Sequence, residues 1–418
     1  MKRLIGLVLA CALTAGVAVA DTHTWVGGSH TGGGWNTASN WQNESGAAEC
    51  PEAGDTAVFN KYNETVVAND DDAALACSLE DIQLNSWSYP LNKGQTLVFD
   101  FSGDHTAKCA IRSNGGGGRF IKKGKGTLYL DNGSTAYSGG SYSTYTTYNV
   151  TAGGLVVEEG TLWFPQNKNL LYGLTSGGLC VSNNATVYLP NDKDFYVATL
   201  SGEGTVTVAN AGEAHVLQIG MASDDAGTCT FGGKLTGTFS VNSYAGLTLT
   251  GVESDVTVQT LRAKPRDGMK NGYVAVAKLG NSGETSSVGM SASINLLYSS
   301  CFRYIGSGEI STKNLYYDWR GFGGNSGTPG PVIFDGGDNG GLVLNGSLSY
   351  YSSTAKMGSL IFCGSNSTPC AVGGAFSACF DNEGDKHYTP YIIKRGPGVW
   401  RFADHATRTH RGVYEVQE

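Results

Sequence analysis

The stretch that decides the fold is a strand-and-turn unit that occurs twice. Its first copy opens with Ile121-Lys122-Lys123-Gly124-Lys125-Gly126-Thr127-Leu128-Tyr129-Leu130 and closes with Gly153-Gly154-Leu155-Val156-Val157-Glu158-Glu159-Gly160-Thr161-Leu162. Its second copy opens with Ile393-Lys394-Arg395-Gly396-Pro397-Gly398-Val399-Trp400-Arg401-Phe402 and closes with Arg411-Gly412-Val413-Tyr414-Glu415-Val416-Gln417-Glu418. Apolar residues two apart, bounded by glycines, are typical of a strand that ends in a tight turn. Because the whole unit recurs, the sequence predicts a stack of similar coils, that is, a β-solenoid.

The glycines of this unit are expected to stand at the corners of the coils. Glycine has no Cβ, so it accepts a positive φ or a close approach of another backbone segment. We predict structural roles for Gly124, Gly126, Gly154, Gly160, Gly396, Gly398 and Gly412. The sequence stops where the first copy continues into Gly160-Thr161-Leu162, which predicts that the last unit is truncated.

The composition favours an all-β protein. Glycine supplies 61 of the 418 residues, about twice its usual share of roughly 7%. Glycine and β-branched residues disfavour helices, and a hydrophobic share of 40% is too high for a disordered chain. The net charge is −8 and no basic stripe occurs, which argues against a nucleic-acid partner.

Residues 1–20 have the parts of a secretory signal. Lys2 and Arg3 form the charged region, an apolar region follows, and Ala18-Val19-Ala20 is an A-x-A cleavage site. The apolar region is too short for a transmembrane anchor, and no later stretch is long and apolar enough for a transmembrane helix. We therefore expect an exported protein, either secreted or held at the cell surface.

Three tryptophans lie close together after the predicted signal. Trp25, Trp35 and Trp41 occupy a Gly-rich background. The first coil of a solenoid has unpaired backbone groups along one edge, and bulky side chains can cover the open end. We predict that residues 21–65 form an N-terminal cap and that the solenoid occupies residues 66–418. An aromatic platform for sugar binding is the alternative for the tryptophans.

A short segment near the start of the predicted solenoid has the signals of a helix start. Asn69 and the acids at positions 70–72 precede Ala73-Ala74-Leu75 and could cap a short helix. Strand-like runs resume at once, however, so we predict a turn.

The two copies of the unit also resemble a known repeat. They share an I-K-x-G-x-G opening, at Ile121 and Ile393, and a glycine-bounded closure. Together with the tryptophan series that runs from Trp25 to Phe59, this unit resembles the autotransporter-associated β-strand repeat of exported bacterial surface proteins. The clearest units lie at about residues 120–164 and 392–418. The resemblance implies a right-handed parallel β-helix with an N-terminal capping segment.

No assembled catalytic motif is found in the sequence. Parallel β-helices can also carry a polysaccharide lyase or a glycosidase, which needs paired carboxylates, or acids around a metal, on one face. The candidate acids are Asp192, Asp194, Asp224 and Asp225. The sequence has no C-x-x-C pair and no H-E-x-x-H motif, so we expect no metal site and no cofactor.

The cysteines leave two alternatives open. Of the ten cysteines, nine remain after the predicted signal, and an odd number leaves at least one thiol unpaired. Cys363, Cys370 and Cys379 are close enough in sequence for a local disulfide, which export permits. The alternative is a set of buried free thiols in a β core.

These observations predict a non-catalytic, structural or adhesin-like surface protein. A long stack offers extended faces for multivalent contact with a carbohydrate or with a protein of a host or cell surface. Tyr142, Tyr145 and Tyr148 recur at every third position and could present rings to such a partner, although a solvated loop is the alternative. The alternative function is a carbohydrate-active enzyme on the same fold.

Overall fold

The computed structural model describes most of the chain after the predicted signal. The described ranges are 21–28, 34–59, 64–85, 95–114, 118–131, 154–164, 174–190, 194–208, 215–220, 228–257, 261–263, 273–291, 293–297, 300–318, 330–350, 358–377, 380–382, 386–388, 391–403 and 413–417. Nearly all of the regular structure in these ranges is β-strand.

The first twelve strands lie before residue 164. They are β1 (Thr22–Trp25), β2 (Trp41–Gln42), β3 (Thr56–Phe59), β4 (Thr65–Asn69), β5 (Asp81–Asn85), β6 (Thr96–Asp100), β7 (His105–Ala107), β8 (Ala110–Asn114), β9 (Arg119–Lys123), β10 (Thr127–Leu130), β11 (Leu155–Val157) and β12 (Gly160–Trp163). One turn of 3-10 helix (Ala38–Asn40) and one short α-helix, α1 (Ala73–Ala76), lie between them.

The middle of the chain continues with twelve further strands. They are β13 (Leu174–Val181), β14 (Ala185–Leu189), β15 (Phe195–Gly202), β16 (Thr205–Val208), β17 (His215–Ile219), β18 (Cys229–Phe231), β19 (Lys234–Leu235), β20 (Phe239–Ser243), β21 (Leu247–Leu249), β22 (Leu261–Ala263), β23 (Tyr273–Val276) and β24 (Ser293–Leu297).

The C-terminal part contains the remaining strands. They are β25 (Cys301–Tyr304), β26 (Glu309–Ser311), β27 (Asn314–Asp318), β28 (Val332–Asp335), β29 (Leu342–Leu344), β30 (Leu348–Tyr350), β31 (Ser359–Cys363), β32 (Cys370–Val372), β33 (Phe376–Ser377), β34 (Phe380–Asn382), β35 (Lys386–Tyr388), β36 (Tyr391–Arg395), β37 (Trp400–Phe402) and β38 (Val413–Gln417).

Apart from β2, which pairs antiparallel with β1, and from β34 and β35, the paired strands run parallel to a strand of a neighbouring coil, and these pairings form long ladders. Ladder A contains β1, β3, β5 and β8. Ladder B contains β4, β6, β9, β11, β13, β15, β18, β21, β23, β25, β28, β31, β36 and β38. Ladder C contains β7, β10, β12, β14, β16 and β19. At about 4.8 Å per strand, ladder B alone extends for about 60 Å. The predicted parallel β-helix is therefore confirmed, while its handedness stays a prediction.

Two further ladders complete the later coils. One continues from the first half of β15 through β17, β20, β22, β24, β27, β30 and β33. The other contains β26, β29, β32 and β37. A two-stranded antiparallel sheet of β34 and β35 lies apart from these ladders.

The core is the column of inward side chains that the coils stack on one another. Along ladder B, Leu97, Phe120 and Leu155 lie in one register and are buried. The residue between two inward positions points away from this column, because side chains alternate along a strand. On that side Val98, Ile121 and Val156 form a second, smaller buried cluster.

The three tryptophans of the predicted cap pack together at the N-terminal end of this column. Trp25, Trp35 and Trp41 are at most 1% exposed and contact one another and Phe59. The indole nitrogen of Trp41 donates to the Trp35 carbonyl at 2.7 Å. Ladder A already runs in parallel through this segment, from β1 to β3 and on to β5, and ladder B begins with β4 at Thr65.

The turn predicted after Asn69 is wrong, because α1 forms there. The Asp72 carboxylate accepts the backbone N–H of Trp35 at 3.1 Å and that of Asn69 at 3.2 Å, so it connects α1 to the cap. Ala73 and Ala76 are buried against the core. Tertiary contacts with residues distant in sequence therefore stabilise a single helical turn that the local pattern alone left ambiguous.

Candidate functional site

The repeat glycines stand at coil corners for two different physical reasons. Gly124, Gly154, Gly160 and Gly396 have φ between 70 and 72°, a conformation that side chains with a Cβ rarely adopt. Gly126 and Gly398 do not have a positive φ. A Cβ on Gly126 would instead overlap the backbone of Gly103, and one on Gly398 would overlap Asn366. Gly412 lies outside the described residues.

A lysine of each repeat opening, for which the sequence alone predicts no role, donates hydrogen bonds to the corner that follows it. Lys122 is fully buried, and its Nζ donates to the carbonyl oxygens of Lys123 at 2.5 Å, Gly124 at 2.6 Å and Glu159 at 3.4 Å. Burial lowers the pKa of Lys122 to about 8, and the carboxylates of Asp100 and Glu159 offset this only in part. The position is thus structural, and it holds one coil against the next.

The acids proposed for an enzymatic site are not seen to converge. Asp194 accepts the Val216 backbone N–H at 3.2 Å and the Gln218 side-chain amide at 2.9 Å, so it takes part in a structural network. Asp192, Asp224 and Asp225 lie outside the described residues. Within the described ranges, no group of three or more His, Cys, Asp or Glu side chains could hold a metal ion.

The cysteines in the described ranges are free thiols. They are Cys50, Cys77, Cys109, Cys180, Cys229, Cys301, Cys363 and Cys370. The local disulfide is therefore not formed between Cys363 and Cys370, while Cys379 lies outside the described residues. Burial raises the pKa of the Cys77 thiol to about 12 and that of Cys363 to about 11, so these thiols stay protonated.

The outward side of ladder C carries two parallel rows of side chains, which we call the threonine–aromatic face. Its first row consists of Thr127, Thr161, Thr186 and Thr205, which are in register on four successive strands. Its second row, two residues further along each strand, consists of Tyr129, Trp163 and Tyr188. All seven side chains are partly exposed, because the residues between them, such as Leu128 and Leu162, take the inward positions.

The rings of the second row stack along the axis of the coils. The Trp163 and Tyr188 ring centroids are 4.6 Å apart with an interplanar angle of 19°, and those of Tyr129 and Trp163 are 5.3 Å apart with an angle of 33°. The Trp163 indole nitrogen is buried and has no hydrogen-bond acceptor among the described residues. Because the ring faces are directed at each other, the ring edges form a continuous ridge beside the row of hydroxyl groups.

The sequence alone did not predict this face. The signal was present as a recurring Thr-apolar-aromatic tripeptide, in Thr127-Leu128-Tyr129, Thr161-Leu162-Trp163 and Thr186-Val187-Tyr188. Tyr142, Tyr145 and Tyr148, for which the sequence left open both ring presentation to a partner and a solvated loop, lie outside the described residues.

Comparisons with other proteins give no relative for this chain. The sequence matches no protein-family model, and neither curated proteins nor solved structures gave a significant match. No helix in the described part of the chain is long and apolar enough to cross a membrane. The resemblance of the repeat to the autotransporter-associated β-strand repeat therefore stays a prediction.

Proposed function

We infer that this chain is an exported, non-catalytic structural or adhesin-like protein of the cell surface. The observation that carries the inference is the threonine–aromatic face, a regular outward surface held by successive strands of one continuous stack. Such a surface supports contact with an extended partner, since successive strands from β10 to β16 present a threonine at the same register position and three of them add an aromatic ring.

Two further features support this function. The predicted secretory signal at residues 1–20 supports export to the outside of the cell or to its surface. The repeat corners of Lys122 and Lys394 share one hydrogen-bonding pattern, which supports the proposed relation to repeat units of exported surface proteins.

The experiment that tests the inference is a search for turnover. We would incubate residues 21–418 with a panel of polysaccharides, with and without calcium, and measure new reducing ends and unsaturated products. We expect neither product to exceed the no-protein control. Turnover that disappears when a single carboxylate, such as Asp194, is replaced with Asn would contradict the inference and favour the carbohydrate-active enzyme.

A further inference from the structure

We propose that the threonine–aromatic face binds a neutral, extended polysaccharide chain that lies along the axis of the coils. The proposal rests on the proposed non-catalytic function and names the ligand class of that surface. It is carried by three observations, which concern the free hydroxyl groups, the aromatic ridge and the absence of charge from the two rows.

The first observation is that the threonine hydroxyls are available. Thr127, Thr161, Thr186 and Thr205 are partly exposed, and their hydroxyls form no hydrogen bond with another described residue. Adjacent strands are about 4.8 Å apart, so the row repeats one donor and acceptor group at that interval over about 14 Å. A ligand that uses the whole row must itself repeat hydrogen-bonding groups at a similar interval, as the hydroxyls of a sugar polymer do.

The second observation is the aromatic ridge beside that row. Tyr129, Trp163 and Tyr188 stand about 7 Å from the threonines, since residues two apart on a strand are separated by that distance. Their rings are apolar at the edges, and the two tyrosines add O–H groups, whereas the Trp163 indole N–H is buried. A sugar ring likewise has apolar C–H surfaces beside its hydroxyls, so one chain can pack against the ridge while it hydrogen-bonds to the threonines.

The third observation is electrostatic. Neither row contains a charged side chain. Lys125, Glu159 and Glu203 lie two residues before Thr127, Thr161 and Thr205, and further charges lie at the two ends of the first row. At one end Asp104 accepts the backbone N–H of Thr127 at 2.7 Å, and at the other end Lys234 pairs with Asp255 at 2.6 Å. Oppositely charged groups would be expected along a face that binds a charged polymer. The face therefore fits a neutral polysaccharide better than an acidic one.

The test is a binding measurement with variants that keep the fold. The probes are insoluble cellulose and chitin in depletion assays, and soluble xyloglucan and galactomannan in affinity gels, with polygalacturonate as the acidic comparison. We expect the protein to bind at least one neutral probe and to bind polygalacturonate more weakly. The double variant Thr161→Glu/Thr186→Glu places two charges in the first row and is expected to weaken this binding at least 10-fold.

A matched control is Thr248→Glu, a partly exposed threonine on β21 of ladder B, which is expected to bind as the unchanged protein does. The variant Thr161→Ser/Thr186→Ser keeps both hydroxyls and is expected to retain binding, and melting curves confirm that each variant folds. The proposal is overturned if no neutral probe is bound, or if the double Glu variant binds as well as the control. Either result leaves the non-catalytic function intact, because only turnover contradicts that function.

Discussion

Lys122 and Lys394 make the same contact in two coils that are far apart in the chain. Each Nζ donates to the carbonyl oxygens of the next two residues, which are Lys123 and Gly124 in one coil and Arg395 and Gly396 in the other. Gly124 and Gly396 have φ values of 71 and 70°. The corner geometry turns these carbonyls toward the lysine, so the lysine and the glycine of the I-K-x-G motif act as one structural unit.

The first prediction concerns the contribution of this lysine to stability. Replacing Lys122 with Met removes the hydrogen-bond donor from three carbonyl groups, those of Lys123, Gly124 and Glu159. We expect the free energy of unfolding to fall by about 2–3 kcal/mol, measured by urea denaturation. For Lys394→Met we expect the free energy of unfolding to fall by about 1 kcal/mol or less, because the hydrogen bonds of Lys394 are exposed and water can replace the lost donor.

Lys123 supplies the control for that comparison. It lies next to Lys122 but points outward, and its Nζ forms an exposed ion pair with Glu158 at 3.0 Å. Such pairs contribute about 0–1 kcal/mol, so Lys123→Met should unfold at nearly the same urea concentration as the unchanged protein. If Lys122→Met and Lys123→Met are equally stable, the carbonyl contacts of Lys122 do not hold the corner.

The second prediction is the pH dependence of the same site. Burial lowers the pKa of Lys122 from 10.5 to about 8 in the folded protein. Between these two values the unfolded chain binds a proton that the folded chain has released, so the lysine's contribution to stability rises with pH. Below pH 8 the contribution is constant, and above 10.5 it is constant again. The stability difference between the unchanged protein and Lys122→Met should thus grow from pH 8 to 10.5, by at most about 3 kcal/mol.

Comparison with Lys122→Met isolates this effect from other groups that titrate in the same range. The contribution of buried cysteines such as Cys77 to stability falls as the pH rises, because burial raises the pKa of the thiol. These cysteines are the same in both proteins, so their effect cancels in the difference. Unfolding measured at pH 7, 9 and 10 is sufficient. A difference that stays flat or shrinks over this interval contradicts the pKa shift.

The repeat and the alternation of apolar residues made the fold predictable. A strand pattern bounded by glycines constrains the chain locally, and its recurrence requires a stack, so the parallel ladders followed from the sequence. The helix α1 did not, because the carboxylate contact of Asp72 with the Trp35 backbone joins residues that are distant in sequence. Local helix propensity does not include such a distant contact, so it could not decide between a turn and a helix at this position.

The threonine–aromatic face was harder to predict for a related reason. Which residues share a face depends on the register between coils, and loops of unequal length separate the tripeptides that contain Thr127, Thr161 and Thr186. Register is decided by how the inward side chains stack rather than by distance along the chain. The rows therefore became visible only when strand pairing was known.

The third prediction separates the two reasons for which glycine is required at corners. Gly126→Ala places a methyl group against the carbonyl of Gly103, a backbone group that cannot move without shifting the neighbouring coil. Gly54 has φ 94° but open space around a Cβ, so Gly54→Ala causes only backbone strain. We expect Gly54→Ala to lower the free energy of unfolding by about 1–2 kcal/mol. Gly126→Ala is expected to lower it by about 3 kcal/mol or more, or to prevent folding. Melting temperatures measure the difference, and an equal decrease in the two variants would contradict the role of crowding at Gly126.

The last prediction concerns the tryptophans of the cap. Trp35 is fully buried, and its ring lies 5.5 Å from those of both Trp41 and Phe59. Trp35→Ala empties the end of the core and should lower the free energy of unfolding by about 3–5 kcal/mol. Trp163, which is only partly buried on the outward side of ladder C, provides the comparison. Trp163→Ala should lower the free energy of unfolding by about 1–2 kcal/mol.

A third variant tests whether the ring or the indole nitrogen of Trp35 matters. The Trp35 Nε1 has no hydrogen-bond acceptor among the described residues, so Trp35→Phe removes an unsatisfied buried donor while it keeps an aromatic ring at the end of the core. We expect it to be less destabilising than Trp35→Ala by about 2 kcal/mol or more. If Trp35→Ala and Trp163→Ala unfold at the same urea concentration, the buried tryptophans add no more than a surface ring does. Trp35 would then not be part of a cap that closes the N-terminal end of the stack.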